Sequence, residues 1–376
     1  MKCSGSNVST REHIEIQFDA AITHVDPLLG AEGEAWVAPG FIDLQVNGFA
    51  GVDYNSPDAS HEEIARSIRA IFSTGVTRFF PTVITGAPDR MAAALRNLAD
   101  ARESLEHGAA MEAFHVEGPH ISPEEGPRGA HPARWVRPPS IEEFHRLQEA
   151  ARGNVRLATL SAEWPEAPRY IEQLAREGVV TSIGHTRATS QQIRDAVSAG
   201  ATLSTHLGNG AHAMLAKFPN YIWDQLASDR LAASFIVDGI HLDEAFLKTA
   251  LRAKGSERSI LVTDAVMPAM CEPGFYRLGE VDVELTGAGR VQLRGGTRLA
   301  GSSLRMDRAI DNVMRIASVS LTEAVAMATV NPARVGRIPS RQRGLTPGDR
   351  GDIVRFRIES GELRVIETYL SGHRVH

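Results

Sequence analysis

The sequence predicts a (β/α)8 barrel carrying a small β-sandwich domain built from both chain ends. Three observations point there. Eight β-type runs, opening at Phe41, Thr77, Ala113, Val155, Val179, Ala201, Ala232 and Ser259, alternate with helical stretches. Eight such units over roughly 250 residues match the size of that barrel. Polar residues stand at the carboxyl ends of successive runs, where a barrel of this kind places its chemistry. Both chain ends read instead as short alternating strands with turns. A doubly wound open sheet is the competing architecture, but no glycine-rich dinucleotide fingerprint follows the first run.

Residues 13–37 supply short strands (IEIQF, AITHV, AWVAP) that end at Pro39-Gly40. FIDLQVNG follows, an apolar run turning polar at its end, with Gln45 and Asn47 off that end. Ile64, Ile68, Ile71 and Phe72 share one face of the next helix, which Gly75 stops. A strand over 76–82, a long helix over 89–107 and a strand over 112–118 come next. A strand over 155–160 and a helix over 167–177 repeat the beat.

The stretch 179–209 shows the unit most plainly. A run over 179–183 ends in Gly184-His185, and a run over 201–205 ends in His206. Between them Thr189 and Gln192 have capping-box spacing, Ile193, Ala196 and Val197 form an apolar stripe, and Gly200 closes the helix. A βαβ unit makes the two strands parallel, so both histidines emerge at the same end. The run 231–239, a helix over 243–253 and the run 259–265 complete eight units. Beyond residue 270 come short β-type runs (VDVEL, VQLRG), helices over 303–317 and 321–328, and an alternating tail. The expected domains are 1–39 with 341–376, and the barrel over 40–340.

The 376 residues are 43% hydrophobic and 23% charged, an ordinary globular composition. A net charge of −6 argues against nucleic-acid or membrane-surface partners. Cys3 and Cys271 lie far apart and match no metal or redox spacing, which fits a reducing, cytoplasmic compartment. No apolar run reaches the roughly 18 residues of a membrane span, and the N-terminus lacks a signal-peptide layout, so export is not expected.

The strand-end polar set is Gln45, Asn47, His115, Glu117, His185, His206, Asp238, His241 and Asp264. A carboxylate with two imidazoles suits zinc or a similar divalent ion with one position open for water. Singly, each has a structural alternative: Glu117 as an ion-pair partner, Asp264 as a cap, the histidines as satisfied core residues. Their shared end on successive strands favours chemistry.

PGFIDLQVNG, HVEGPHI, the GAHP at 129–132, GHT, THLGN, VDGIHL, LVTDA, LAGSSLRMDRAI and TVNPARVG with GLTPGDRGDIV span nearly the whole chain in order. By these segments the sequence resembles the N-acetylglucosamine-6-phosphate deacetylase family of the amidohydrolase superfamily. The resemblance implies hydrolysis of an N-acetyl amino-sugar phosphate to glucosamine-6-phosphate and acetate. It implies that Glu117, His185 and His206 hold one divalent ion, zinc ahead of Fe2+, Co2+ or Mn2+, and that Asp264 is the acid/base. Gln45 and Asn47 stand where many superfamily members carry second-metal histidines, implying a single-metal site. Ala130, His131 and His241, with backbone from Asn209 and Gly210, would contact substrate, and Leu299, Ala300 and Gly301 would close over the acyl side. A homodimer is implied as well.

A metal ion makes hydroxide available near neutral pH, and Asp264 would take the water's proton and return it to the departing amine. His131 would help stabilise the oxyanion. One departure follows THLGN: the family's Arg-x-Pro-Gly phosphate segment is absent, and Lys217, Asn220 and Tyr221 occupy that region. Lys217 is the candidate phosphate contact, as a point charge without arginine's fork. His212 has no assigned role. An unphosphorylated N-acetylhexosamine or another N-acyl compound is the alternative substrate, and a non-catalytic binding homologue the alternative from another class.

Overall fold

The computed structural model describes residues 1–28 and 35–376. Four strands open the chain: β1 (Lys2–Asn7), β2 (His13–Phe18), β3 (Ile22–Pro27) and β4 (Trp36–Pro39). The barrel begins at β5 (Phe41–Val46), followed by a small hairpin, β6 (Gly48–Phe49) with β7 (Val52–Asp53). Seven further strands join it: β8 (Val76–Ile84), β9 (Phe114–Glu117), β10 (Val155–Leu160), β11 (Val180–Ile183), β12 (Leu203–Ser204), β13 (Ala232–Phe235) and β14 (Ser259–Leu261). They form one eight-stranded parallel sheet in the order β14-β13-β12-β11-β10-β9-β8-β5. Its two ends meet just past β5 and β14. Asp264 N donates to Gln45 O at 3.0 Å and Asn47 N to Ala265 O at 2.7 Å, closing the ring.

Helices pack outside the strands through apolar stripes. α1 (His61–Phe72) buries Ile64, Ile68, Ile71 and Phe72 and starts with a Ser60–Glu63 capping box. α2 (Pro88–Ser104) has proline in its first turn and ends three residues before the expected 107. α3 (Ile141–Ala150), which periodicity left unassigned, is capped by Ser140 and buries Phe144 and Leu147. α4 (Ala167–Arg176) and α5 (Ser190–Ala199) follow. α5 carries the Thr189–Gln192 box, buries Ile193, Ala196 and Val197, and ends at Gly200 with φ +121°. Then come α6 (Tyr221–Ala227), α7 (Glu244–Lys254), α8 (Met306–Ala317), α9 (Leu321–Met327) and α10 (Val330–Val335). α6 and α10 were not expected; Pro332 within α10 reads as a helix breaker in the sequence. α8 starts three residues later than 303, because Ser303 donates instead to the Gly289 carbonyl.

An antiparallel sheet of β15 (Gly274–Leu278), β16 (Val281–Leu285) and β17 (Val291–Leu293) sits between β14 and α8. Val266, Leu278, Val283, Leu285, Val291 and Ala300 give it an apolar core. β15 was not expected; exposed Phe275 alternates with half-buried Tyr276 and blurs its pattern.

The chain ends with β18 (Ile353–Glu359), β19 (Glu362–Leu370) and β20 (His373–Arg374), which join the first strands in the order β20-β19-β18-β4-β1-β2-β3. Phe18 of β2 meets Tyr369 of β19 edge to face at 5.1 Å, although β18, β4 and β1 lie between those strands. The sheet therefore curls over a core of its own, Ile14, Ile16, Val37 and Ile353. Its other face, with Ala38, Val354 and Phe356, belongs to the barrel's core. A buried ion network ties the two parts. Arg341 and Arg78 both bind Asp352, at 2.7 and 2.8 Å, and Arg341 also donates to the Gly40 carbonyl. Burial opposes charge on Asp352, but the two guanidinia outweigh it and hold the carboxyl at about 2.

Candidate active site

Glu117, His185 and His206 meet beyond the carboxyl ends of β9, β11 and β12. Glu117 Oε1 lies 3.2 Å from His185 Nε2 and 2.8 Å from His206 Nε2, and the two Nε2 atoms are 3.1 Å apart. All three residues are buried. His185 Nδ1 donates to the Pro127 carbonyl at 2.8 Å, which leaves its Nε2 lone pair facing the other two ligands. Two imidazole nitrogens and a carboxylate oxygen converging on one point fit a divalent ion. Burial raises the Glu117 carboxyl, but the adjoining His185 and His206 imidazoles outweigh it and hold it well below the carboxylate range. Burial lowers His206, and its bond to Glu117 more than reverses that.

Asp264 stands just past β14, across the ring closure. Its Oδ1 accepts from Asn47 Nδ2 at 2.7 Å and Gln45 Nε2 at 3.1 Å, and Gln45 Nε2 also reaches Glu117 Oε1 at 3.0 Å. Both amides thus serve the carboxylates as donors. Burial, reinforced by the Glu117 charge, pushes the Asp264 carboxyl up to about 6. His185, His206 and Asp264 all adopt positive φ, +48°, +30° and +50°. Non-glycine residues enter that region at a cost of about 1–3 kcal/mol each, and aspartate and histidine tolerate it better than most. The turn there swings each side chain from the strand onto the barrel mouth.

A cavity of about 690 Å3 opens over these groups. Ala130, His131, Asn209, Gly210, His241, Leu299, Ala300 and Gly301 all line it. His131 bonds Thr85 Oγ1 through Nδ1 at 2.9 Å and packs edge to face on His185 at 4.5 Å. Burial, then the neighbouring His185 imidazole, push His131 down to about 3. His241 Nδ1 meets Asp238 Oδ2 at 2.6 Å, which fixes its ring and explains the Asp238 position. His115 does not reach the cavity: it lies one layer deeper, its Nε2 2.7 Å from Thr159 Oγ1.

Lys217 does not line the cavity. It is exposed, and its ammonium sits 5.7 Å over the Phe218 ring. The arginine or lysine that does line it, among the described residues, is Arg298, which pairs with Glu125 at 2.5 Å. His212 bonds Tyr221 and Glu124, tying the loop after β12 to the loop after β9. Sequence reasoning also missed Thr85, the Pro127 carbonyl and an apolar wall of Ile84, Leu278, Val281 and Leu293. The glycines of GPRGAHP were a usable signal: Gly126 and Gly129 have positive φ, and the turn they make carries Pro127 to His185.

A parallel barrel with a carboxylate–bis-imidazole cluster and a buried carboxylate at its carboxyl-end mouth is the framework of a metal-assisted hydrolase. The chain belongs to the amidohydrolase family, whose model matches residues 36–375. That family together with the Glu117–His185–His206 cluster indicates a divalent metal. The chain is 33% identical to N-acetylglucosamine-6-phosphate deacetylase of Bacillus subtilis over 91% of its own length and 85% of the relative's. It is 30% identical to N-acetylgalactosamine-6-phosphate deacetylase of Escherichia coli O157:H7, over 94% and 92%. A mutant N-acetyl-D-glucosamine-6-phosphate deacetylase from Mycobacterium smegmatis, solved in complex with N-acetyl-D-glucosamine-6-phosphate, superposes with a TM-score of 0.90 at 28% identity. That superposition covers 100% of this chain and 99% of the other.

Proposed function

We propose that the protein hydrolyses the acetamide of N-acetylglucosamine-6-phosphate, giving glucosamine-6-phosphate and acetate. The observation that carries this reading is buried Asp264 sharing Gln45 with the Glu117–His185–His206 cluster under one cavity. Glu117, His185 and His206 would hold one divalent ion, zinc by the chemistry of the donor set. When bound, such an ion polarises a carbonyl and lowers the pKa of water. Asp264, with a carboxyl pushed up to about 6, is suited to accept the water's proton and then deliver it to the leaving amine. Gln45 and Asn47 hold that carboxylate at the attacking side. His131 stands beside His185 as the donor for the developing oxyanion. His241, fixed by Asp238, and the backbone at Asn209 and Gly210 lie where the sugar would bind.

The exposed position of Lys217 favours a second reading in which the same chemistry acts on an unphosphorylated N-acetylhexosamine. A homodimer is supported by the exposed apolar side chains Met214 (90%), Phe218 (70%) and Trp223 (48%). Free cysteines support a cytoplasmic setting; among the described residues no helix is long and apolar enough to cross a membrane.

The test is amine release by the zinc-loaded protein from N-acetylglucosamine-6-phosphate, N-acetylgalactosamine-6-phosphate and N-acetylglucosamine at equal concentrations. Preference for the first supports the proposal, and preference for the last moves the substrate to the free sugar. No turnover of any of them refutes the deacetylase reading.

A further inference from the structure

Asp43 is a buried carboxylate that the reaction above leaves unused. It lies on β5 just ahead of Gln45, is 1% exposed and forms no ion pair among the described residues. Val46, Phe49, Ile71, Val76 and Met306 line a cavity of about 10 Å3 beside it. A carboxylate in such apolar surroundings is costly unless hydrogen bonds compensate it. Three donors do so here. Thr263 Oγ1 donates to Asp43 Oδ2 at 2.6 Å, and Gln45 N and Thr263 N donate to Oδ1 at 3.2 and 3.3 Å.

These donors belong to the two edges of the barrel seam. Gln45 carries the amide that joins Asp264 Oδ1 to Glu117 Oε1. The pairing of β5 with β8 shifts register between Asp43 and Val46, and a shift of this kind re-aims the side chains within it. Asp43 holds the Gln45 N–H inside that stretch. On the other edge, Thr263 directly precedes Asp264, whose φ of +50° persists only where the surroundings over-determine it. Asp264 N donates to Gln45 O at 3.0 Å, and Ser302 N donates to the Asp264 carbonyl at 2.9 Å. Ser302 Oγ donates to the Thr263 carbonyl at 2.6 Å, while Asp43 takes the Thr263 hydroxyl and N–H. Thr263 Oγ1 in turn accepts from Ala265 N at 3.1 Å. One carboxylate thus grips the chain on both sides of the seam.

We propose that Asp43 is a positioning residue that locks the Gln45 register shift and the left-handed turn at Asp264 into one arrangement. It thereby sets where the acid/base carboxylate stands relative to the Glu117–His185–His206 cluster. Asp43 acts only through Gln45 and Thr263. The proposal rests on the hydrolase reading above.

Asp43→Ala removes all three bonds. Asp43→Asn keeps the shape: its Oδ1 can accept from both N–H groups, and its Nδ2 can donate to Thr263 Oγ1. In zinc-loaded full-length protein, Asp43→Ala should lower kcat about 10- to 100-fold with KM within about twofold, as expected when reacting groups are misplaced. Zinc stoichiometry should stay at the wild-type level. The acid limb of kcat should rise by about half a pH unit or more, because displaced amides support the Asp264 charge less well. Asp43→Asn should recover kcat to within roughly fivefold of wild type, a neutral partner being weaker than a charged one. Thr263→Val is the independent variant should Asp43→Ala fail to fold; it should move kcat and the acid limb in the same direction. Asp352→Asn, a buried carboxylate away from the seam, is the control: Tm falls and kcat does not.

Folded Asp43→Ala or Thr263→Val protein with wild-type kcat and pH profile overturns the positioning role and leaves the hydrolase reading intact. A fall in kcat that tracks loss of zinc overturns it as well. Wild-type protein that cleaves no N-acyl amino sugar overturns the hydrolase reading instead, and the positioning role with it.

Discussion

Asn47 Nδ2 lies 2.7 Å from Asp264 Oδ1, across the seam where the first and eighth barrel strands meet. Gln45 holds the same oxygen and Glu117 together, so one pair of amides positions both the proposed acid/base and a proposed metal ligand. A hydrogen bond to a charged group contributes about 1.5–3 kcal/mol. Asn47→Ala should therefore lower kcat by roughly 10- to 100-fold with metal content unchanged by elemental analysis.

Asp264→Asn keeps the shape but removes the base. Turnover should drop by roughly 10²–10⁴-fold, the usual contribution of a positioned acid/base. Zinc stoichiometry should stay at the wild-type level, since Asp264 is outside the three-ligand cluster. Full activity in this variant would refute the mechanism.

Gly210 has φ +55°, and a Cβ there would stand 2.6 Å from His185 Nδ1. Gly210→Ala must push the imidazole away from the Pro127 carbonyl that orients it. Zinc affinity, read by competition with a chromophoric chelator, should weaken about 10- to 100-fold, as when an orienting partner is lost.

Chelation should abolish turnover and lower Tm, because an ion bound only to the folded state stabilises it by RT ln(1 + [L]/Kd), about 4 kcal/mol at a thousandfold excess over Kd. Adding back zinc should restore both. A Tm indifferent to chelator in the active protein would argue against Glu117, His185 and His206 as ligands.

Asp352 predicts an acid limb of stability far from the site. Its folded carboxyl, at about 2, lies below its ordinary value of 3.8. A depressed acid stabilises the fold fully above the unfolded value and loses that contribution as pH falls from about 4 toward 2. The contribution is on the order of 2 kcal/mol. In urea titrations over that window, Asp352→Asn should be flatter with pH than wild type and less stable above pH ~4, since Arg78 and Arg341 would remain buried without their anion.

The alternation of strands and helices was legible because it is written locally. Ile64, Ile68 and Ile71 mark a helix face whatever the rest of the chain does, and Thr189 with Gln192 marks a helix start. α6 and α10 escaped, α10 carrying Pro332, a residue that reads as a helix breaker, within its six residues. Glu117, His185, His206 and Asp264 were legible as strand-end polar residues, for the same local reason.

What the chain order determined, then, is the barrel and the identity of the residues at its mouth, since hydrophobic period and capping depend on neighbours within one element. Only the tertiary structure decided how those residues meet. Gln45 reaches Asp264 across 219 positions because the ring closes there. His185, His206 and Asp264 take left-handed φ because the surrounding packing holds them in a conformation that local preference disfavours. Thr85 holds His131, and Lys217 stands outside the cavity while Arg298 enters it, through loop packing that no periodicity encodes. Convergence of side chains from distant strands is a property of the closed sheet, and it exists only once the eighth strand has paired with the first.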